Sequence, residues 1–130
     1  MGSFDTTVLL RYVLADVPEQ SKRIDQLLAA GGTYAVSDLA LTEMVFVLEK
    51  VYGLSRSLVV ENILVIVLNT QFACNAGLFE AALQEYRDHP ALSFIDCLLT
   101  MEAGQRGEVP LYTFDKALAK KLSAASLIAK

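Results

Sequence analysis

Short apolar runs alternate with longer segments of helical periodicity along the chain, and this order constrains the fold more than any other feature. Two parallel strands need a crossover connection of a dozen or more residues, which is usually a helix. The three prolines, Pro18, Pro90 and Pro110, all fall between periodic segments, where they interrupt no strand or helix. The pattern therefore predicts an α/β fold with a parallel sheet.

The strands are predicted from apolar runs, and the helices from amphipathic spacing bounded by capping residues, prolines and glycines. Short strands are expected at residues 1–4, 34–36, 72–74, 111–113 and 127–129. Helices are expected at residues 6–14, 19–30, 37–52, 55–68, 75–87, 93–106 and 115–123. The fourth helix is apolar nearly all round, which indicates deep burial or contact with another chain.

The length of 130 residues fits one domain, so residues 1–130 are expected to share a single core. Apolar residues make up 54% of the chain and charged residues 20%, which excludes a disordered protein. The uncharged stretch 62–79 is interrupted by polar side chains, so no membrane-spanning helix is expected. Cys74 and Cys97 follow no secretory signal, and we expect free thiols in a cytoplasmic protein.

Four acidic residues occupy positions suited to a shared site. Asp5 follows the first predicted strand and Asp115 the fourth, while Glu43 lies in the third helix and Asp96 near the start of the sixth. Sites in open parallel sheets form at the carboxyl ends of the strands. Carboxylates gathered there repel one another unless cations neutralise them, and Mg²⁺ and Mn²⁺ take oxygen ligands. With a net charge of −4, any nucleic-acid chemistry is expected to be local and to use metal ions.

Each of these acids also has a purely structural explanation. Asp5 and Asp115 both precede helices and are typical N-caps. Ser93 and Asp96 fit a capping box, and Glu43 fits an exposed position on a helix. From position alone, the catalytic and the structural interpretations both stay open.

Four segments, taken in order, resemble the acidic motifs of the PIN domain family. Residues 5–11 read DTTVLLR, and a typical family opening is Asp-Thr-Asn-Val-Leu. Residues 37–43 read SDLALTE, residues 93–99 read SFIDCLL, and residues 111–116 read LYTFDK. The ordered set covers essentially the whole chain.

The resemblance implies a three-layer α/β/α domain with a short four- or five-stranded parallel sheet. It also implies a metal-dependent endoribonuclease in which Asp5, Glu43, Asp96 and Asp115 bind Mg²⁺ or Mn²⁺. Thr113 matches a hydroxyl that assists catalysis in the family. The substrate-binding residues that we expect are Thr6, Arg11 and Lys116.

Two positions depart from the family pattern. Thr7 stands where the family usually has Asn, so a short hydroxyl replaces an amide that orders the site. Ser93 stands where many relatives carry a further acid, three residues before Asp96. The expected cluster therefore has four carboxylates, which leaves open whether it binds one metal ion or two.

The length and the turn at residues 52–56, between two apolar helices, resemble VapC-type toxins in particular. This resemblance implies a toxin–antitoxin pair, with RNA as substrate, a small antitoxin protein as partner and a homodimer formed through the third and fourth helices. An apolar face on these two helices serves either as plain core or as the surface for dimerisation or an antitoxin helix. Its members are Met44, Phe46, Val47, Val51, Leu58, Val59 and Ile63.

Other functions were weighed on the same residues. An aspartate phosphatase would need Asp-x-Asp after the first strand, and the chain has Asp5-Thr6-Thr7. A receiver-type phosphoacceptor domain would need an Asp at the end of a middle strand, where Cys74 and Asn75 stand. An RNA-processing PIN nuclease outside a toxin pair and a non-catalytic binding module, in which the acids are only caps, stay open.

Overall fold

The computed structural model describes residues 1–128 and has the predicted order of strands and helices. The strands are β1 (Gly2–Ser3), β2 (Tyr34–Ala35), β3 (Phe72–Ala73), β4 (Leu111–Thr113) and β5 (Ala125–Leu127). The helices are α1 (Thr6–Leu14), α2 (Pro18–Ala29), α3 (Asp38–Lys50), α4 (Arg56–Val67), α5 (Ala76–Asp88), α6 (Phe94–Gln105) and α7 (Lys116–Lys121). The chain divides into two compact units, Met1–Ala76 and the part from Gly77 onward.

The first unit contains a parallel three-stranded sheet in the order β1-β2-β3. Gly2 pairs with Tyr34, and Tyr34 pairs with Phe72. The ladder continues past the short strands, because the Phe4 N–H donates to the Ala35 carbonyl at 3.0 Å. The Phe4 ring contacts the rings of Tyr34 and Phe72, with centroids 4.8 and 5.6 Å apart. These contacts hold the three strand ends in register.

The helices of the first unit bury their apolar faces against one another. α1 packs on α2, α3 and α4, and α3 also packs on α4. The fully buried side chains of these helices form the core: Leu9, Leu41, Met44, Leu48, Val59, Ile63 and Ile66. At about 25 cal/mol per Å² of apolar surface removed from water, such burial is the main stabilising contribution to the unit.

The second unit combines α5 and α6 with the parallel pair β4-β5 and α7. Its aromatic core has Phe94 against Tyr86 and Phe79, with ring centroids 5.6 and 6.1 Å apart. α6 ends in a Schellman motif, because the Glu108 N–H donates to the Ala103 carbonyl at 2.8 Å. Gly107 supplies the left-handed residue of this motif with φ +70°. The Val109–Pro110 peptide bond that precedes β4 is cis.

The structure confirms the α/β fold and its parallel strands, and it corrects three details. The described strands pair as three and two, whereas one sheet of four or five strands was expected. β5 begins two residues earlier than expected, and Ala129, the last residue of that prediction, lies outside the described residues. The third helix ends at Lys50, so Val51 is 70% exposed although it shares the helical spacing of the buried residues. No helix within residues 1–128 has the length and apolarity needed to cross a membrane.

Candidate active site

A cavity of about 460 Å³ lies where β1 and β2 end in the first unit. Asp5 and Ser37 each stand two residues beyond the last residue of a strand. The cavity is lined by Ser3, Phe4, Asp5, Thr6, Val8, Ser37, Leu39, Ala40 and Glu43. This is the carboxyl edge of a parallel sheet, where the open α/β folds place their ligands.

The starts of α1 and α3 fix the walls of this cavity. Asp5 caps α1, and its Oδ1 accepts a hydrogen bond from the Val8 N–H at 2.9 Å. Ser37 caps α3 in the same way, and its Oγ accepts from the Ala40 N–H at 3.1 Å. The Thr6 hydroxyl donates to the Ala40 carbonyl at 3.4 Å, which joins the first turn of α1 to that of α3. As a result, the predicted residues Asp5, Thr6 and Glu43 line one cavity.

Asp5 and Glu43 supply two exposed carboxylates to this cavity. Neither forms an ion pair with any residue between 1 and 128. Together with the hydroxyls of Ser3, Thr6 and Ser37, they form an all-oxygen set of the kind that Mg²⁺ and Mn²⁺ prefer. Within residues 1–128, no group of three or more His, Cys, Asp or Glu side chains is placed so that it could hold a metal ion. The four-acid metal site therefore stays a prediction.

The other predicted catalytic residues lie in the second unit. Asp115 caps α7, with Oδ1 accepting from the Leu118 N–H at 3.1 Å. Its own N–H donates to the Thr113 hydroxyl oxygen at 2.9 Å, which joins these two predicted residues directly. Asp96 is half-buried in the first turn of α6, and its N–H donates to the Ser93 hydroxyl oxygen at 3.2 Å. The structural explanation of Asp5 and Asp115 as N-caps is thus confirmed.

The two cations expected to bind substrate differ in their surroundings. Arg11 Nη1 donates to both carboxylate oxygens of Asp16, at 2.8 and 3.1 Å, and to the Tyr52 hydroxyl at 3.4 Å. The hydrogen bond with Tyr52 and the pair with Asp16 raise the pKa of Arg11 further above its ordinary value, so the guanidinium stays charged. Lys116 is exposed at the start of α7. The charge of Lys116 is therefore more available to a substrate than the charge of Arg11.

Sequence reasoning missed two features around these residues. Ser37 was assigned only as a cap, although a serine just beyond a strand end also points to the site edge. Tyr52 is predicted as the end of the third helix, whereas it lies beyond that helix and its hydroxyl accepts a hydrogen bond from Arg11, 41 positions away. No local pattern signals a contact at that separation. A second cavity of about 230 Å³ involves Arg11, Thr7 and Arg23.

Comparison with known proteins adds one positive finding to this geometry. The PIN domain family model matches residues 4–122, which include all of the predicted acids and most of each unit. No curated protein and no solved structure gives a match. PIN domains are generally nucleases that depend on divalent metal ions. From the extent of the match, the chain belongs to the PIN domain family.

Proposed function

We propose that this chain is a cytoplasmic metal-dependent endoribonuclease and the toxin of a toxin–antitoxin pair. The observation that carries the nuclease proposal is the cavity at the ends of β1 and β2, into which Asp5 and Glu43 bring exposed carboxylates. The family match and the ordered motifs support it. We further propose that residues 1–130 act as one PIN domain, since the family model spans both compact units.

The residues take distinct roles in this proposal. Asp5, Glu43, Asp96 and Asp115 would hold one or two Mg²⁺ or Mn²⁺ ions. A divalent ion in such a site supplies positive charge that stabilises the charge developing on the phosphate oxygens during hydrolysis. Asp5 and Asp115 each have one carboxylate oxygen held by a helix N–H, which orients the side chain and leaves the second oxygen for a ligand.

The remaining predicted residues position the acids or hold the substrate. The Thr113 hydroxyl fixes the backbone of Asp115 and so sets the direction of that carboxylate. Thr6 positions α1 against α3 through its bond to Ala40, and we assign its hydroxyl to substrate contact as well. We assign Arg11 and Lys116 to the binding of RNA phosphates, because phosphates form charge-assisted hydrogen bonds with Arg and Lys side chains.

The test is cleavage of a mixed RNA pool by the wild-type protein and by Asp5→Asn, with Mn²⁺ or with EDTA. Asn keeps the cap of α1 but lacks the charge that a divalent cation requires. Asp25→Asn is the matched control, because Asp25 is an exposed acid of α2 in the same unit. We expect wild type and Asp25→Asn to cleave RNA in Mn²⁺. Cleavage should be lost in EDTA and in Asp5→Asn. Full cleavage by Asp5→Asn would refute the proposed site.

We also propose that the exposed part of the apolar face on α3 and α4 forms a homodimer. Met44, Val59 and Ile63 are buried within the chain, so they serve as core. Phe46 is 60% exposed and Leu58 45% exposed, and these side chains are available to a second copy. In sedimentation equilibrium, Phe46→Glu should give a monomer, and the control Leu27→Glu on α2 should leave a dimer. A wild-type monomer at micromolar concentration would refute the dimer.

The toxin role predicts an antitoxin whose binding reaches the acidic cavity. An Arg of such a partner would pair with the carboxylates of Asp5 and Glu43. Expression of the wild-type chain should then arrest growth, and expression of Asp5→Asn should not. Normal growth with the active enzyme would instead support RNA processing outside a toxin pair.

A further inference from the structure

The end of β4 carries the two most exposed aromatic side chains of the described residues. Tyr112 is 66% exposed and Phe114 is 78% exposed. Neither ring contacts another aromatic ring within residues 1–128. Burying an aromatic ring is among the larger stabilising contributions that a side chain makes. Two exposed rings at one strand end therefore indicate a surface that binds another molecule.

Tyr112 lies within β4, and Phe114 is the first residue after the end of this strand. Successive side chains of a strand point to opposite sides, which separates Tyr112 from Leu111 and Thr113, and the exposure of Phe114 continues this alternation one residue past the strand. Burial agrees with this alternation, because Leu111 and Thr113 are half-buried. In the pairing with β5, Ser126 stands opposite Tyr112, and its small side chain leaves the ring uncovered.

The charge near these rings indicates which class of molecule binds to them. From Leu111 to Ile128 the chain has three lysines and a single acid, Asp115, although the whole chain carries a net charge of −4. Lys116 and Lys120 are exposed and stand one helical turn apart on α7. Lysine is depleted from protein–protein interfaces, whereas bare aromatic rings beside cations are typical of single-stranded nucleic-acid sites.

We propose that Tyr112 and Phe114 form a stacking platform for unpaired bases of RNA, with Lys116 and Lys120 holding the adjacent phosphates. The proposal rests on the proposed nuclease function and names the residues that bind the unpaired bases of its RNA substrate. The platform flanks Thr113 and precedes Asp115, so stacked bases lie beside two residues assigned to catalysis. Duplex RNA cannot use this platform, because its bases are stacked on one another within the helix.

The experiment measures binding in EDTA, where metal-dependent cleavage is absent. The probe is a single-stranded RNA that contains a fluorescent adenine analogue whose emission is quenched when it stacks. Wild type should quench the probe, and Phe114→Leu should weaken binding about tenfold and abolish most of the quenching, as expected for the loss of one stacked base. Tyr112→Leu should act in the same direction, and a duplex of the same sequence should bind equally to all variants.

Matched controls separate stacking from damage to the fold. Phe114→Trp should restore binding, and because the chain has no tryptophan, its emission should change when single-stranded RNA binds. Leu27→Ala shortens an exposed apolar side chain of α2, away from the platform in sequence, and should leave binding unchanged. Thermal melting should be the same for all four variants, since the side chains they alter are largely solvent-exposed.

The outcomes distinguish this proposal from the nuclease proposal itself. Equal binding and quenching by wild type and Phe114→Leu would overturn the platform, even if the enzyme cuts RNA. Absence of any single-stranded RNA binding by wild type would overturn it too and would point to a protein partner on this face. Cleavage that survives Asp5→Asn would overturn the proposed active site, whatever the binding assay shows.

Discussion

Asp5 is assigned two roles, as the cap of α1 and as a carboxylate of the active site, and two substitutions separate them. Asp5→Ala removes both the acceptor for the Val8 N–H and the charge. Asp5→Asn removes only the charge, because the Asn side-chain oxygen accepts the same hydrogen bond. The two variants should therefore be equally inactive but differ in stability.

The structure sets the size of the stability difference. The hydrogen bond from the Val8 N–H is 2.9 Å long and is the side-chain cap of a nine-residue helix. Loss of such a cap costs about 1 kcal/mol, with a range of about 0.5–2 kcal/mol. Asp5→Asn should cost less than this, because Asn and Asp are about equally favourable N-cap residues. For a chain of this length, about 1 kcal/mol lowers the melting temperature by roughly 3–4 °C.

The assay is thermal melting by circular dichroism without metal, combined with RNA cleavage in Mn²⁺. Ser55→Ala is the control for the cap alone, because Ser55 caps α4 and accepts from the Leu58 N–H at 3.3 Å. It should be destabilised like Asp5→Ala and remain active. Equal melting temperatures for Asp5→Ala and Asp5→Asn would refute the cap argument. Cleavage by Asp5→Asn would refute the catalytic argument.

Three further predictions follow from metal binding, backbone conformation and packing. Mn²⁺ at about 100 times its dissociation constant should stabilise wild type by about 2.7 kcal/mol in thermal melts, and Glu43→Gln should lose most of this gain. Gly107→Ala should destabilise the fold by about 1 kcal/mol, because φ is +70° at this position. Gly104→Ala, inside α6, should instead stabilise the fold by about 0.5–1 kcal/mol. Urea titration measures both changes in the free energy of unfolding. Ile63→Ala should cost about 2–5 kcal/mol in the same titration, and the half-exposed neighbour on α4, Val65→Ala, much less.

Local signals accounted for most of the fold. The helix Thr6–Leu14 is predicted to the residue, and its start follows from the Asp5 cap, whereas the left-handed φ of 51° at Ala15, where it ends, has no signal in the residue type. The caps Ser37, Ser55 and Ser93 likewise start their helices as predicted. Hydrogen bonds of this kind join residues three positions apart, so a single sequence contains their full pattern.

Strand pairing was the weaker part, for a physical reason. Strands of two or three residues contain too few positions to show a period of two, so nothing in the sequence sets where pairing stops. The sequence predicts β5 from the apolar run that begins with Leu127 and Ile128, but the buried residue of that strand is the small Ala125. Its register is fixed by bonds to β4, such as the one from the Ile128 N–H to the Thr113 carbonyl at 2.9 Å.

The candidate site shows the same division between local and long-range information. Position in the predicted elements selected Asp5, Glu43, Asp96 and Asp115, and the resemblance gave these four acids a shared role. The bond between Thr6 and Ala40, which draws α1 and α3 to one cavity, spans 34 positions and has no local signature. The same holds for the contact between Arg11 and Tyr52, which joins residues 41 positions apart.

The cap and the catalytic interpretations of an acid do not compete, and Asp115 shows why. A carboxylate has two oxygens, and the cap of α7 uses Oδ1 for the Leu118 N–H, at 3.1 Å. That bond and the one from the Asp115 N–H to Thr113 fix the direction of the second oxygen before any ligand arrives. Asp115→Asn should therefore melt close to wild type, since Asn and Asp are about equally favourable N-cap residues. This variant should nevertheless lose RNA cleavage. Retained cleavage would show that Asp115 serves only as the cap of α7.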